Sequence, residues 1–170
     1  INIVGSTSVP SKTEAGPYYV YYKVIGDSNH TDSQEYKAAV TINKAVPDYK
    51  VPENLTAQCG TNVSDIELPE GFAWDTPDEP IKNIGDNEFT VTFTPSYTDN
   101  YLIVNDIIVK VKGIGIHHAK VSETCEDNGV AEYWEDGLGN KFSDENGTNA
   151  LTNEQTLIEK LNHKFINFLK

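Results

Sequence analysis

The sequence predicts an all-β protein whose antiparallel strands form a sandwich or a barrel. Apolar and polar residues alternate in several short segments, which is the period of strands. Turns rich in Gly, Pro, Asn and Asp separate these segments at intervals of roughly ten residues. The 170 residues are 38% apolar and 23% charged, a composition typical of a folded chain of one or two domains.

The chain is acidic, with 26 Asp and Glu residues against 13 Lys and no Arg. Nucleic acids and anionic membranes attract basic patches, so a net charge of -13 argues against both as partners. No apolar run approaches the roughly 18 to 20 residues needed to cross a bilayer, and we expect no membrane insertion in this segment. Residues 1–10 lack the features of a signal peptide, so export would require a signal outside this sequence.

The first predicted element is a β-hairpin with a long loop. Two segments alternate so that each collects a regular set of side chains on one face. These sets are Tyr18, Val20, Tyr22 and Val24 in the first segment, and Tyr36, Ala38, Val40 and Ile42 in the second. Residues 25–35 between them are polar and rich in turn formers, and they predict the loop.

Residues 45–113 predict several further short strands. Pro47 and Pro52 break regular pairing at the start, so this stretch suits a linker or a sheet edge. The clearest strand lies in residues 87–95, where apolar side chains alternate with Thr. The apolar positions of the predicted strands are, in chain order, Leu55, Ala57 and Cys59; Ile66 and Leu68; Phe72 and Trp74; Phe89, Val91 and Phe93; and Ile107, Val109 and Val111.

The first hairpin and the end of the second region are similar to each other. Gly16 aligns with Gly85 and Val40 with Val109 at an offset of 69 residues, while Asn29 and Asn100 align at 71 if short gaps are allowed. We interpret this as an internal repeat of about 70 residues. Residues 1–44 would contain only its second half, and an isolated two-stranded hairpin is marginal in water. We therefore expect this half to pack against an upstream half, the rest of the chain or a neighbouring chain.

After Gly113 the composition becomes acidic and rich in Gly and Asn. Residues 130–135 and 140–143 flank a turn and predict a small hairpin. In the last segment an apolar stripe at spacings of three and four, with Thr152 and Gln155 spaced as a capping box, predicts a helix over about 154–168. The stripe consists of Leu157, Ile158, Leu161, Phe165, Phe168 and Leu169. The predicted segments of the chain are thus 1–44, 45–113 and 114–170.

Several spaced runs carry a resemblance to known modules. They are GPYYVYYKVIGDSNH, YKVPENLTAQCG, DIELPEGFAW and FTVTFTPSYTDNY. In this order, over residues 12–113, they resemble the Ig-like repeat modules of large bacterial cell-surface proteins. The resemblance implies an Ig-like antiparallel β-sandwich over residues 45–113 and the C-terminal half of another such repeat over residues 1–44.

Residues 117–163 resemble a second, smaller type of surface-protein repeat. The residues of this chain that match its pattern are His118, Thr124-Cys125, Gly129, Tyr133-Trp134, the run KFSD at 141–144 and Gly147. His163 would begin the next copy. Many members carry Cys-x-x-Cys in the turn after Tyr-Trp, whereas this chain has EDGLGN, so we infer no zinc site. Members also run extended near residues 157–165, in conflict with the helix that the periodicity predicts.

The remaining candidate chemistry favours structural roles. Cys59 and Cys125 lie 66 positions apart, and we expect two unpaired thiols that behave as small apolar residues, with a bridge between them left open. His117 and His118 point to opposite sides of a strand, so they are expected to be solvated and to share no metal. Residues 144–149 are acidic enough that Ca²⁺ binding is left open, but they lack the ligand spacing of an EF-hand loop. Their composition favours an ordinary Asn/Asp/Gly turn.

No catalytic motif is present in the sequence, and we predict a protein that is not an enzyme, with no catalytic, cofactor-binding or metal-binding residues. Aromatic residues are the better functional lead, since 17 Phe, Tyr and Trp residues make up 10% of the chain. Tyr19, Tyr21 and Trp134 are the candidate ligand or interface residues, because amphipathic rings on a β surface can stack on sugars or anchor a protein. The alternative is that these rings fill cores and joints between modules.

Together these observations predict a non-enzymatic structural or adhesive segment of an extracellular bacterial surface protein, serving as stalk or spacer modules. Its expected partners are a host glycan or protein and neighbouring repeats of the same chain. The alternative function is a carbohydrate-binding module that uses exposed aromatic residues. An intramolecular isopeptide bond, the ligand and the oligomeric state are left open by the sequence.

Overall fold

The structure, a computed structural model, describes residues 10–162. Within this range it contains twelve strands and, as its single helical element, the 3-10 turn Val63–Asp65. The strands are β1 Gly16–Tyr22, β2 Tyr36–Ile42, β3 Leu55–Gln58, β4 Phe72–Trp74, β5 Gly85–Phe93, β6 Val104–Ile114, β7 Ile116–His118, β8 Gly129–Val130, β9 Tyr133–Glu135, β10 Lys141–Phe142, β11 Ala150–Leu151 and β12 Leu157–Ile158. The all-β prediction is confirmed.

The chain forms two compact units. The first contains the described residues up to Tyr49 together with Thr94–Val104, and the second contains Lys50–Phe93 together with the described residues from Asn105 onward. The boundaries 44/45 and 113/114 inferred from the sequence concern repeats, and they stay a prediction. No helix within residues 10–162 has the length and apolar character needed to cross a membrane.

The first unit is built on the hairpin β1–β2. The two strands pair antiparallel from Gly16 opposite Ile42 to Tyr22 opposite Tyr36, and the long intervening loop is also present, so the hairpin prediction is confirmed. Segment 94–104 pairs with the chain that follows β2. There the Ala45 amide donates to the carbonyl of Asn100 at 2.9 Å.

The second unit contains a four-stranded sheet in the order β3-β6-β5-β4. β4 pairs antiparallel with β5, whereas β3 pairs parallel with β6, so the prediction of a purely antiparallel arrangement is wrong for this pair. Strand direction depends on which distant segments meet, and residue periodicity carries no information about it. The buried apolar side chains around this sheet are Cys59, Val63, Ile81, Phe89, Val91, Ile107, Val109 and Val111.

The strand predicted around Ile66 and Leu68 does not form. The chain instead makes the 3-10 turn Val63–Asp65, in which Val63 is fully buried. The carbonyl of Ile66 accepts a hydrogen bond of 3.2 Å from the Trp74 indole N–H. The buried Val63 side chain and the hydrogen bond from Trp74 thus hold this segment in place of strand pairing.

The second unit also contains a four-stranded sheet in the order β11-β10-β9-β7 and the two-stranded sheet β12-β8. β9 and β10 pair antiparallel, which confirms the predicted small hairpin. Asp136 closes its turn with a buried carboxylate that accepts hydrogen bonds from the amides of Leu138 and Asn140, each at 2.9 Å.

The helix predicted over 154–168 is wrong for residues 154–162, and the remainder lies outside the described residues. The capping box does form, because the Thr152 amide donates to the Gln155 side chain and the Gln155 amide donates to the Thr152 hydroxyl. It closes only one turn. Leu157–Ile158 then extends and pairs with Gly129–Val130, because long-range hydrogen bonding outweighs the local helical propensity.

Candidate binding surface

Tyr19 and Tyr21 lie on the same face of β1, as their spacing of two residues requires. Their side chains are 53% and 44% exposed. In the hairpin register, Tyr19 lies opposite Ala39 and Tyr21 lies opposite Lys37. We call these four residues the tyrosine face. It presents two phenol rings to solvent on a two-stranded platform.

Lys37 adds a positive charge to the tyrosine face. Its Nζ lies 4.8 Å from the centroid of the Tyr19 ring, which is a cation–π distance. Tyr19 lies diagonally across from Lys37, because Lys37 pairs directly with Tyr21. Lys37 is not among the residues that the sequence predicted for a site, because periodicity predicts the faces of a strand but not which residue of the partner strand lies opposite. The face therefore combines aromatic stacking surface with a hydrogen-bond donor and two hydroxyl groups.

The opposite side of the same hairpin is apolar and also exposed. Tyr22 and Tyr36 are directly paired, and their rings stack with centroids 5.6 Å apart. Tyr22, Tyr36 and Val40 remain 53%, 43% and 44% exposed. We call this side the apolar face, and its members are Tyr18, Val20, Tyr22, Tyr36, Ala38, Val40 and Ile42. A hairpin of two strands cannot bury both of its faces, so both keep large exposed side chains.

Trp134, the third candidate, belongs to the other unit and is half-buried. It lies opposite His117 in the β7–β9 register, and the two rings pack with centroids 4.8 Å apart and planes tilted by 30°. Nε2 of His117 lies 2.8 Å from a carboxylate oxygen of Glu132. These contacts fix the indole within the sheet. Trp134 is therefore a packed ring and not a freely presented platform.

His118 forms a second ring stack in the same sheet, with Tyr133. Its ring lies parallel to that of Tyr133, with centroids 4.3 Å apart and an angle of 10°. Lys141 Nζ lies 4.8 Å from the centroid of Tyr133. Nε2 of His118 is buried without a hydrogen bond, and a carboxylate oxygen of Glu135 is 3.5 Å away. His117 and His118 thus contact different groups, as expected for adjacent positions of a strand, but the expectation of a solvated side chain is wrong for His118, whose Nε2 is buried.

Asp144 organises the turn that the sequence left open to Ca²⁺. Its carboxylate accepts hydrogen bonds from the amides of Asn146, Thr148 and Asn149 and from the Asn149 side chain. Desolvation opposes ionisation of this carboxyl group, but the hydrogen bonds outweigh it and lower its pKa to about 2. The oxygens that would bind a cation are thus committed to the turn. Across residues 10–162, no three His, Cys, Asp or Glu side chains are grouped as metal ligands.

Both cysteines are free thiols, and no disulfide joins them. Cys59 is 2% exposed in the second unit, and burial raises the pKa of its thiol. Cys125 is exposed, so the expectation of a buried apolar role is correct for Cys59 and wrong for Cys125. The difference follows from position, since Cys59 comes directly after β3 whereas Cys125 lies in a loop.

An open depression of about 470 Å³ lies along β10 and β11. Its lining includes Lys141, Phe142 and Leu151 but no carboxylate, imidazole or thiol side chain. It therefore offers no acid–base pair or strong nucleophile for catalysis. The tyrosine face is the better candidate site, because its chemistry suits binding by stacking.

Comparisons of the chain with protein-family models, with curated proteins and with solved structures find no match.

Proposed function

We propose that this chain is a non-enzymatic, repeat-built segment of an extracellular bacterial surface protein, and that its Ig-like modules serve as a stalk or spacer. One observation carries the proposal. Shifted by 69 positions, β1 corresponds to residues 85–91, within β5, and β2 corresponds to residues 105–111, within β6. The strands of the two units therefore occupy equivalent places in the inferred repeat.

Further features of the described residues fit this role. The backbone forms β-sheets within two compact units, as expected when each module of an array has its own internal hydrogen bonding. Residues 46–53 contain Pro47 and Pro52 and no strand, which suits a linker of limited freedom. The net charge of -13 would keep neighbouring copies apart by repulsion. No reaction is required for this function.

Surface exposure on living cells tests the proposal. Antibodies raised against the purified chain should label intact cells of the producing bacterium, and an external protease should remove the label. An antibody to a cytoplasmic protein of the same cells provides the control for intactness. Signal that appears only after the cells are permeabilised would contradict an extracellular location.

Carbohydrate binding is the second candidate function, and the exposure of Tyr19 and Tyr21 on one strand face favours it. Aromatic rings on a β surface can stack on sugars, and the Lys37 ammonium and the tyrosine hydroxyls could donate hydrogen bonds to ring hydroxyls. On a glycan array, binding should be lost in Tyr19→Ala and Tyr21→Ala. It should persist in Tyr97→Ala, which removes a more exposed ring in segment 94–104. An array on which the unmodified chain binds nothing rejects this candidate.

A further inference from the structure

The apolar face of the β1–β2 hairpin has a buried counterpart in the second unit. The 69-residue alignment relates five of the seven members of the apolar face to apolar side chains on β5 and β6, while Tyr18 and Tyr36 align with Asn87 and Asn105. The pairs are Val20 with Phe89, Tyr22 with Val91, Ala38 with Ile107, Val40 with Val109, and Ile42 with Val111. All five members in the second unit are buried, whereas Tyr22, Ala38 and Val40 are exposed and Val20 and Ile42 are half-buried.

The second unit also shows what covers such a face. Residues 50–84 supply β3, which pairs parallel with β6, and β4, which pairs antiparallel with β5. The same segment contributes Cys59, Val63 and Ile81 to the buried core. One stretch of 35 residues (50–84) thus provides both edge strands and apolar cover.

The hairpin of the first unit has no such cover among residues 10–162. Its sheet contains only β1 and β2, so among these residues the outer edge of β1 carries no further strand, whereas just beyond β2 Ala45 is paired in parallel with Tyr101. Unpaired strand edges beside an apolar face are suited to strand addition by another polypeptide segment.

We propose that the apolar face of β1–β2 is a docking site for a polypeptide segment of the same type as residues 50–84. On the β2 side, Tyr101 already pairs in parallel with Ala45, the place that Gln58 takes beside Ile114 in the second unit, so the open edge for the docking segment is that of β1. The equivalent of Trp74 lies beside Tyr22 on a strand antiparallel to β1, because Trp74 pairs with Val91. The partner is therefore the first half of this repeat, supplied from outside the hairpin. This inference does not depend on whether the chain is a surface protein.

The exposed area disfavours a second hairpin as the occupant. Tyr side chains bury about 150 to 250 Å² each, so the exposed parts of Tyr22, Tyr36 and Val40 amount to roughly 300 Å². A stable association of two chains buries about 800 Å² on each partner. Face-to-face packing of two hairpins would leave their edges unpaired and reach too small an area, whereas segment 50–84 adds edge hydrogen bonds as well as apolar contacts.

The test uses the full 170-residue chain and a synthetic peptide of residues 50–84. Hydrogen exchange measured by mass spectrometry should slow in β1 and β2 when the peptide is added, with exchange in β5 and β6 unchanged. Val40→Lys should weaken peptide binding at least tenfold, because it places a charge on the apolar face. Thr41→Lys, the matched control on the tyrosine side of the same strand, should bind the peptide as the unmodified chain does. Both positions are exposed, so both variants should fold.

A second arrangement removes dependence on the solubility of the peptide. Residues 50–84 are fused ahead of residue 1 through a flexible linker, which raises the effective concentration to about the millimolar range. Protection of β1 and β2 that Val40→Lys abolishes is the expected result. Unchanged exchange of β1 and β2 in the fused chain overturns the proposal. It is also overturned if the unfused chain dimerises through the hairpin, which sedimentation would detect as a dimer that Val40→Lys dissociates.

Discussion

Val109→Ala and Val40→Ala are expected to differ greatly in cost although the two positions are equivalent in the inferred repeat. Val109 is 2% exposed and Val40 is 44% exposed. Removing two buried carbon groups from Val109 costs about 1.6 kcal/mol in transfer free energy. The cavity left behind brings the total to about 2 to 3 kcal/mol.

At Val40 about half of the side chain is already in water and no closed cavity forms. We therefore expect a loss below about 1 kcal/mol, including the lower strand propensity of Ala. The propensity term is smaller than the burial and cavity terms, so burial accounts for most of the difference between the two variants. Burial differs because β6 lies inside a four-stranded sheet with a buried core, whereas the sheet of β1 and β2 has only two strands among the described residues.

Urea unfolding measures the effect in the second unit. Both Trp residues, Trp74 and Trp134, belong to that unit, so Trp fluorescence reports its unfolding. With a slope of about 1 to 2 kcal/mol per molar urea, Val109→Ala should lower the midpoint by about 1 to 3 M. Hydrogen exchange of β1 and β2 measures the first unit in Val40→Ala. Equal losses in the two variants would refute the reasoning, because the sequence equivalence would then outweigh the difference in burial.

Three further predictions concern single side chains. Asp136→Ala should destabilise the second unit by about 2 to 4 kcal/mol in urea unfolding, because it leaves two turn amides without their charged acceptor, whereas exposed Glu145→Ala should have little effect. The pKa of Asp144 is lowered from 3.8 to about 2 on folding, so its carboxylate stabilises the folded state at pH values above 3.8. This stabilisation is lost as the pH falls toward about 2. Stability curves of the unmodified chain and Asp144→Ala should therefore converge over that interval, and a constant gap would contradict this. A thiol reagent should modify exposed Cys125 in the native protein and buried Cys59 only after unfolding, so two fast-reacting thiols would be inconsistent with the fold.

The strands with the strongest alternation could be predicted from the sequence. β1, β2, β5 and β6 each run for seven or more residues, and their two-residue period identifies both the strand and its faces. The parallel pairing of β3 with β6 could not be predicted, because short segments carry no signal for direction. At the terminal segment the predicted capping box formed, but pairing with β8 replaced the helix.

The candidate site was predictable in the same partial way. Period and composition selected Tyr19 and Tyr21 and placed them on one face, but only the structure shows their exposure and brings Lys37 next to Tyr19. The sequence also predicted Trp134 as a ligand or interface residue, but in the structure its ring packs against that of His117. Exposure depends on what lies above a face, and local periodicity does not report it.

The sequence by itself determined the all-β class, the acidic surface and the faces of the long strands, because these follow from local residue order and composition. Tertiary structure alone decided which faces are covered. Val109 and Val40 occupy equivalent positions in the inferred repeat, yet Val109 is 2% exposed and Val40 is 44% exposed. Burial and strand direction arise from contacts between residues far apart in the chain, and local alternation cannot encode them.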